Sequence, residues 1–270
     1  MTPTQVGERP VENFSPDLEE IEWMQTGENV QLEMDHLHIW RCDLHESGDV
    51  DVLQTVLSED EFLRMQRLVV REKRISFLAG RAALRIILGW YVKTTPQSIC
   101  FHYLPNGKPV LFDENLASRI HFNLAHSGKW MVLAVSRRNP VGIDIEEKRT
   151  VSSMKWAMQN LFHEKDQEAI LKMPPSLQND IFLQEWTALE ATEKLRGVGL
   201  GSATCRGSYL DCIQDAGYSE KNFKIYRKEP YWYVRFSPGR GYCGMTAVET
   251  MKKPHLRFYE FSFSEYSNRG

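Results

Sequence analysis

Apolar and polar residues alternate over several short stretches of this chain, a pattern typical of β-strands with one buried face. The predicted strands span residues 36–42, 99–103, 120–124, 130–135, 141–146, 223–226, 232–236, 244–248 and 256–263. In the first of these strands, His36 and His38 share a face. Two histidines without a third ligand nearby favour an exposed or hydrogen-bonded strand face over a metal site.

Apolar residues at three- and four-residue spacing predict helices in two regions, residues 61–92 and 153–195. Ser58 and Glu61 form a capping-box pattern at the start of the first region. Pro174-Pro175 interrupts the second region. Because both parts of the chain combine helices with strands, the pattern indicates an α+β fold built from two halves.

Composition and charge narrow the function classes. Residues 1–34 are polar and acidic, which predicts a flexible or loosely docked tail, and they lack the apolar core of a secretion signal. A net charge of −3 argues against nucleic acid as a partner. No apolar run approaches the roughly 20 residues of a membrane span, so no membrane partner is expected. The five cysteines include no CxxC pair and are expected to be reduced thiols of a cytoplasmic protein.

Basic residues follow helical spacing along the first helical region. The members of this series are Arg64, Arg67, Arg71, Arg74, Arg81 and Arg85. Residues three and four apart share one side of a helix, so the first four form a stripe. Such a stripe is either a solvated helix face or a surface for phosphate groups or an acidic partner.

Two carboxylates on one strand are the first candidate for chemistry. Asp144 and Glu146 point to the same side of the predicted strand, opposite Ile143 and Ile145. Burying both as bare anions would raise at least one pKa, whereas a divalent cation would remove that cost. A strand that faces solvent gives the same pattern, so the pair alone leaves both interpretations open.

A helix carries the second candidate pair. Glu190 and Lys194 are four residues apart and share a face, which also describes an ordinary surface salt bridge. The glycine-rich segment 196–201 permits close approach of a ligand, but it lacks the strand–loop–helix order of a dinucleotide fingerprint. A turn is predicted at residues 125–128, and its adjacent histidine and serine lack the GxSxG elbow of a nucleophile with its base.

Four segments, taken together, carry a family resemblance. NGKP, FNLAHSG, VGIDIE and WTALEATEKLRGVGL occur in this order at residues 106–109, 122–128, 141–146 and 186–200. The chain resembles the Sfp-type 4′-phosphopantetheinyl transferases over about residues 58–201. The resemblance implies two similar α+β halves around a pseudo-twofold axis, with coenzyme A in the cleft between them. After the tail, it divides the chain into residues 35–140 and 141–270.

The resemblance also implies a reaction and a metal. Such an enzyme transfers the phosphopantetheine arm of coenzyme A to a serine of an apo acyl, peptidyl or polyketide carrier protein and releases adenosine 3′,5′-bisphosphate. Asp144, Glu146 and Glu190 would bind Mg²⁺, an ion that prefers oxygen ligands. Glu190 would also be the candidate general base, and Lys194 would contact the pyrophosphate.

Further residues match family positions that contact coenzyme A. His126 would meet the 3′-phosphate, and Lys108 would lie near the nucleotide end. The remaining candidates are Asn106, Ser127, Arg74 and Arg81.

Three residues depart from the family pattern. Ala125, Leu189 and Ser76 stand where serine, lysine and arginine are common. None of them is an expected metal ligand, so the resemblance implies an active enzyme with altered nucleotide contacts.

Two other functions stay open: a different metal-dependent phosphotransfer enzyme, and a catalytically silent protein that binds coenzyme A or a carrier. A two-half chain is expected to act as a monomer. The apolar residues after the carboxylate strand are either a docking surface for the carrier or plain helix core. They are Met154, Trp156, Met158, Leu161 and Phe162.

Overall fold

A computed structural model describes residues 19–46, 48–112, 120–199, 208–210 and 222–267. Within these ranges the strands are β1 (Glu19–Glu20), β2 (Met24–Gln25), β3 (His36–Asp43), β4 (Phe101–Tyr103), β5 (Pro109–Leu111), β6 (Ile120–Ser127), β7 (Trp130–Arg137), β8 (Val141–Glu147), β9 (Asn222–Lys228), β10 (Tyr231–Phe236), β11 (Tyr242–Glu249) and β12 (His255–Phe261). The helices are α1 (Val50–Thr55), α2 (Glu59–Gln66), α3 (Arg71–Val92), α4 (Met154–Leu161), α5 (Glu164–Lys172), α6 (Pro175–Arg196) and α7 (Phe263–Ser267). These elements confirm the predicted α+β class.

Two five-stranded sheets organise the molecule. The first has the order β2-β12-β3-β7-β6, the second has the order β1-β9-β10-β11-β8, and β4 pairs with β5 in a separate hairpin. Neighbouring strands are antiparallel except that β12 runs parallel to β2 and to β3. The edge strands β6 and β8 lie next to each other, because the amide of Ile143 donates to Asn123 Oδ1 at 2.9 Å.

Three apolar cores separate four layers. The first core lies between α3 and the first sheet, the second lies between α6 and the second sheet, and the third joins the two sheets. Strand alternation produces this arrangement, since successive side chains of β7 enter different cores. Met131 and Leu133 pack toward α3, whereas Val132 and Ala134 pack against the second sheet.

Each long helix has 22 residues and covers one sheet. By length and composition α3 could cross a membrane, although the sequence predicts no membrane span. Eleven of its residues are nevertheless buried inside the protein. A core helix of a folded domain passes the same test, so the burial accounts for its apolar character.

The basic series predicted along residues 61–92 is divided in the structure. The capping box at Ser58 is present, but α2 ends at Gln66 and α3 begins at Arg71. Arg85 does not continue a surface stripe: it is 2% exposed, and its Nε donates to Glu61 Oε2 at 2.5 Å. The apolar surroundings require that the guanidinium be paired with a carboxylate, so Arg85 belongs to the core.

The predicted turn at residues 125–128 is shorter than expected. β6 continues to Ser127, and the chain reverses at Gly128 and Lys129 before β7. Gly128 has a φ of +53°, a conformation that a glycine adopts without a steric cost.

The apolar residues considered for carrier docking separate into two groups. Met158 and Phe162 are buried in the second core, and Met154 and Leu161 pack against it. Trp156 is 61% exposed. Helix core therefore describes four of the five candidates.

Segments near both ends of the described chain pair with strands outside the part of the chain to which the sequence assigned them. Residues 19–34, assigned to a tail from the sequence, contribute β1 to the second sheet and β2 to the first. Val30 and Leu32 in this segment are buried in the first core. From the other end, β12 inserts between β2 and β3. The tail is thus packed on the fold from residue 19. The first sheet contains strands from both predicted halves, whereas the second sheet combines β1 of the tail with strands of residues 141–270. Residues 1–18 lie outside the described ranges.

Candidate active site between β8 and α6

A glycine lets helix α6 pack directly on strand β8. A Cβ atom at Gly142 would overlap the carbonyl oxygen of Ala191 and lie 2.5 Å from the amide nitrogen of Leu195. Real side-chain atoms do not approach a backbone that closely, so residue 142 must be glycine for this contact. The contact brings the last turns of α6 against the carboxylate-bearing strand.

The alternation of β8 separates its apolar and acidic side chains. Val141, Ile143 and Ile145 enter the core between the two sheets. Asp144 and Glu146 therefore lie on the opposite side of the strand, as the sequence predicted. Asp144 is 5% exposed, which makes it a buried acid.

Lys194 lies between two of the predicted site carboxylates. Its Nζ is 2.5 Å from Asp144 Oδ1 and 3.5 Å from Glu190 Oε2. The four-residue spacing within α6 aligns Lys194 with Glu190, while the packing of α6 on β8 brings Asp144 to the same ammonium. The structure thus brings Asp144, which lies 50 positions before Lys194 in the sequence, into contact with the Glu190–Lys194 pair.

Burial and the neighbouring charges shift the pKa values of Asp144 and Lys194. Burial raises the pKa of Asp144 to about 7, with the nearby carboxylates of Glu190 and Glu146 adding to the effect and Lys194 opposing it. For Lys194, burial alone would lower the pKa, but the carboxylates of Asp144 and Glu190 outweigh burial and raise it. Lys194 therefore stays protonated at neutral pH, and Asp144 is poised between its two forms.

Glu146 is held by the neighbouring strand β6. Ser127 Oγ donates to Glu146 Oε2 at 3.2 Å, and the amide of Glu147 donates to Ser127 Oγ at 3.1 Å. Ser127, expected to contact coenzyme A, thus contacts a predicted metal ligand.

The donor set fits a hard divalent cation. Asp144 Oδ2 is a buried carboxylate oxygen with no hydrogen-bond partner, and such an atom is stabilised by a cation. The oxygens of Asp144, Glu146 and Glu190 do not all lie within 4.8 Å of one another; among the described residues, a different group of three meets that distance. The position of Lys194 explains the wider spacing, since its ammonium lies between Asp144 and Glu190.

A cavity of about 570 Å³ opens beside these residues. It brings together six of the sequence-predicted positions, which are Arg81, Asn106, Lys108, His126, Glu190 and Lys194. The cationic side chains of this set, together with the imidazole of His126, suit an anionic ligand with several phosphate groups.

Lys108 makes contacts that the sequence did not predict. Its Nζ donates to the carbonyl oxygen of Val141 at 3.2 Å and to that of Lys194 at 2.5 Å. Burial lowers the pKa of the Lys108 amine to about 8. The side chain therefore connects the NGKP turn to the start of β8 and to the last turn of α6.

Two predicted arginines differ in their positions. Arg81 lines the cavity and lies 3.6 Å from Glu61. Arg74 is exposed, and its guanidinium donates twice to the carbonyl oxygen of Leu68, at 3.1 and 2.8 Å. Arg74 thus stabilises the connection between α2 and α3 and is not among the residues that line this cavity.

One structural contributor was missed from the sequence. Asn123 is 6% exposed and lines the cavity, and its Oδ1 accepts the hydrogen bond from Ile143 that joins β6 to β8. An asparagine between Phe122 and Leu124 of a predicted strand is the available signal, because a buried amide requires hydrogen-bond partners.

Known proteins match both parts of the chain that build this site. The model of the 4′-phosphopantetheinyl transferase superfamily matches residues 140–244, and the model of the 4′-phosphopantetheinyl transferase N-terminal region matches residues 40–138. Among curated relatives, the 4′-phosphopantetheinyl transferase HetI of Nostoc sp. is 34% identical over 179 residues, which are 66% of this chain and 76% of HetI.

Two Bacillus proteins are also similar. The 4′-phosphopantetheinyl transferase psf-1 of Bacillus pumilus is 34% identical over 46% of this chain and 50% of its own length. The 4′-phosphopantetheinyl transferase Sfp of Bacillus subtilis is 27% identical over 53% of this chain and 62% of its own length.

The acidic strand β8, the Glu–Lys pair of α6 and the cationic cavity together suit the binding of phosphate groups and a divalent cation. With these matches, the chain belongs to the 4′-phosphopantetheinyl transferase superfamily. The predicted family and its transferase class are confirmed.

Proposed function

We propose that this transferase uses Mg²⁺ and the residues between β8 and α6 to move phosphopantetheine from coenzyme A to a carrier-protein serine. Coenzyme A and carrier proteins are the partners of the family. The observation that supports this site is the contact of Lys194 Nζ with both Asp144 and Glu190 beside the cationic cavity. Asp144, Glu146 and Glu190 are the proposed magnesium ligands.

The cavity side chains would bind and orient the phosphate groups. Arg81 and His126 line the cavity and supply donors for phosphate oxygens. Lys194 has a flexible stem, and its ammonium turns from Asp144 toward a pyrophosphate oxygen when the coenzyme is bound. These contacts hold the phosphorus atom in place for attack by the serine hydroxyl.

Glu190 is the proposed acceptor of the serine proton, directly or through one water molecule. It lines the cavity, and its carboxylate is partly exposed, so an incoming hydroxyl can reach it. A bound magnesium ion would polarise the attacked phosphate and neutralise charge on the departing adenosine 3′,5′-bisphosphate.

The proposed reaction is tested by intact-mass spectrometry of an apo carrier protein after incubation with this protein, coenzyme A and Mg²⁺. A mass gain of one phosphopantetheine group that is lost with EDTA is the expected result. Asp144→Asn should slow transfer by about 10²-fold or more, the cost of removing one electrostatic stabiliser. Glu147→Gln is the matched control on the same strand and should retain transfer.

Other results would contradict the proposal. Equal rates for Asp144→Asn and wild type with Mg²⁺ as the sole divalent metal would remove Asp144 from the metal site. Nucleotide breakdown without any carrier would point to a different phosphotransfer enzyme. Coenzyme A binding with no transfer to acyl, peptidyl or polyketide carriers would point to a silent binding protein.

We also propose that the active species is a monomer. The third core already buries the two sheets against each other within one chain, so no second copy is required to complete the cavity. Sedimentation of the active protein at the mass of one chain is the expected measurement, and a stable dimer with activity lost on dilution would contradict it.

A further inference from the structure

A second group of metal-ligating side chains lies outside the cavity, where β3 and β12 begin. Glu33, Asp35 and His36 place one ligand atom each within 4.8 Å of one another. His255 lies beside this group, with its Nε2 3.5 Å from Asp35 Oδ2. None of these four residues lines the cavity beside Lys194.

The backbone holds these residues in place from two distant parts of the chain. The amide of His36 donates to the carbonyl oxygen of Glu33 at 3.3 Å, which closes a tight turn. The amide of His255 donates to the carbonyl oxygen of Asp35 at 2.9 Å. In the parallel pairing of β3 with β12, His36 stands opposite His255, and their ring centroids are 5.8 Å apart.

The two distances between a histidine and a carboxylate are compatible with ligands of a shared metal ion. His36 Nε2 is 3.6 Å from Glu33 Oε2, close to the 3.5 Å between His255 and Asp35. Charge-assisted hydrogen bonds between such groups are about 2.7–2.9 Å long. Two ligands of one tetrahedral ion, each about 2.0–2.1 Å from it, lie roughly 3.3 Å apart.

The charge of the cluster also favours a cation. Two imidazoles and two carboxylates carry two negative charges when the histidines are neutral, and a divalent ion cancels them. Imidazole nitrogens select borderline transition metals over Mg²⁺, so the site differs in chemistry from the all-carboxylate one.

We propose that Glu33, Asp35, His36 and His255 form a binding site for a Zn²⁺-type divalent metal ion. The ion would bind the start of β12 to the start of β3 and to the turn that precedes β3. Its effect would be structural, since it would fix a strand from the end of the chain in the first sheet. This role is independent of the proposed transfer reaction, because the four residues are separate from the cavity.

Binding of Co²⁺ to the full chain, in excess Mg²⁺ to occupy carboxylate sites, tests the proposal. Visible absorption of tetrahedral Co²⁺ should saturate at one equivalent, and Zn²⁺ should displace it and raise the Tm. Asp35→Asn, which keeps the shape of the side chain, should weaken Co²⁺ binding by more than about tenfold, the lower end of what even outer-shell changes cost. The double variant His36→Ala/His255→Ala should abolish the absorption.

His102→Ala is the matched control, because His102 is an exposed strand histidine outside the cluster. It should bind Co²⁺ as wild type does. The proposal is overturned if wild type shows no saturable Co²⁺ absorption, or if the absorption persists in the double variant while circular dichroism shows both proteins folded. Carrier transfer measured in parallel should be the same with and without the Zn²⁺-type ion, so failure of either proposal is recognised separately.

Discussion

Lys108 forms its hydrogen bonds with the protein itself. Its amine donates to the main-chain carbonyls of Val141 and Lys194, beside the proposed metal site, and so stabilises the contact between β8 and α6. The family resemblance instead implies a position near the nucleotide end of coenzyme A. Because a single Nζ carries three protons, the two carbonyl contacts leave at most one donor for a phosphate oxygen.

Replacing Lys108 by methionine separates these two roles. Loss of two partly buried hydrogen bonds from a charged group should lower the free energy of unfolding by about 1–3 kcal/mol. kcat should fall, with little change in KM for coenzyme A, since the carbonyls of Val141 and Lys194 would no longer be held together. Chemical unfolding and steady-state transfer kinetics measure both effects. A raised KM with unchanged stability would instead assign Lys108 to the nucleotide, and Lys108→Arg would serve as the charge-retaining comparison.

His38 is a residue whose burial makes stability depend on pH. It is 0% exposed, its Nδ1 lies 2.7 Å from the hydroxyl of Tyr91, and its Nε2 has no partner. Burial lowers the pKa of His38 from 6.5 to about 3, with His36 and Arg257 adding to the effect. Below pH 6.5, His38 therefore binds a proton in the unfolded chain but stays neutral in the folded chain until the pH approaches 3.

The free energy of unfolding should consequently be greatest above pH 6.5 and decline as the pH falls toward 3. One such group contributes at most about 1.4 kcal/mol per pH unit. Urea unfolding at neutral pH and about one unit below 6.5 measures this slope. His38→Gln, which cannot titrate, should show a smaller slope, and identical slopes in the two proteins would show that His38 is not responsible.

At the scale of the element, the strand β8 and the helix α6 were predictable because their patterns are local. Alternation alone placed Asp144 and Glu146 on one side of a strand, and helical spacing paired Glu190 with Lys194. The break between α2 and α3 was not predictable from spacing, since apolar residues continue through it. Arg74 stabilises that break by donating to the carbonyl oxygen of Leu68, a contact that no periodicity reveals.

Gly142 shows how one position sets the distance between two elements. Any side chain there would overlap the carbonyl oxygen of Ala191. Gly142→Ala should therefore push α6 away from β8 and lower the free energy of unfolding by about 1–3 kcal/mol, the usual range for overpacking. Transfer activity should fall further than stability, because Asp144 on β8 would be moved away from Glu190 and Lys194 on α6.

Thermal unfolding and carrier transfer, both measured below the Tm of the variant, test this expectation. Gly241→Ala is a useful comparison, because nothing lies within 4 Å of a Cβ built at that glycine, although its φ of +82° adds backbone strain. It should lose stability without the same loss of transfer. Full activity in folded Gly142→Ala would mean that the spacing of α6 and β8 does not govern the site.

The whole molecule contains pairings that no local pattern predicts. β12 was expected as a strand, but its position between β2 and β3 joins residues more than 200 positions apart, such as His36 and His255. The alternation of residues shows which face of a strand is apolar, but it does not show which other strand will pair with it. Among the described strands that follow residue 34, β12 is the one that pairs with strands on the other side of residue 140.

The same topology predicts that the first sheet depends on the end of the chain. β12 pairs with β3 along seven residues, and its Phe258 and Phe261 are buried, as is Phe263 in α7. Burial of each large aromatic side chain stabilises a fold by about 3–5 kcal/mol, against a total of roughly 5–15 kcal/mol for a domain. Removing the three would exhaust the stability of the first sheet.

A chain ending at Lys253 should thus lose protection from hydrogen exchange in β3, because the edge of that strand becomes unpaired. A chain ending at Ser267 keeps β12 and α7 and should exchange as the full protein does. If the β3 and β7 amides stayed protected in the shorter chain, the first sheet would be stable without its final strand. We expect transfer to be lost together with the protection of β3. That result would show that the active site on β8 and α6 requires both sheets, because Asn123 and Ser127 of the first sheet contact β8.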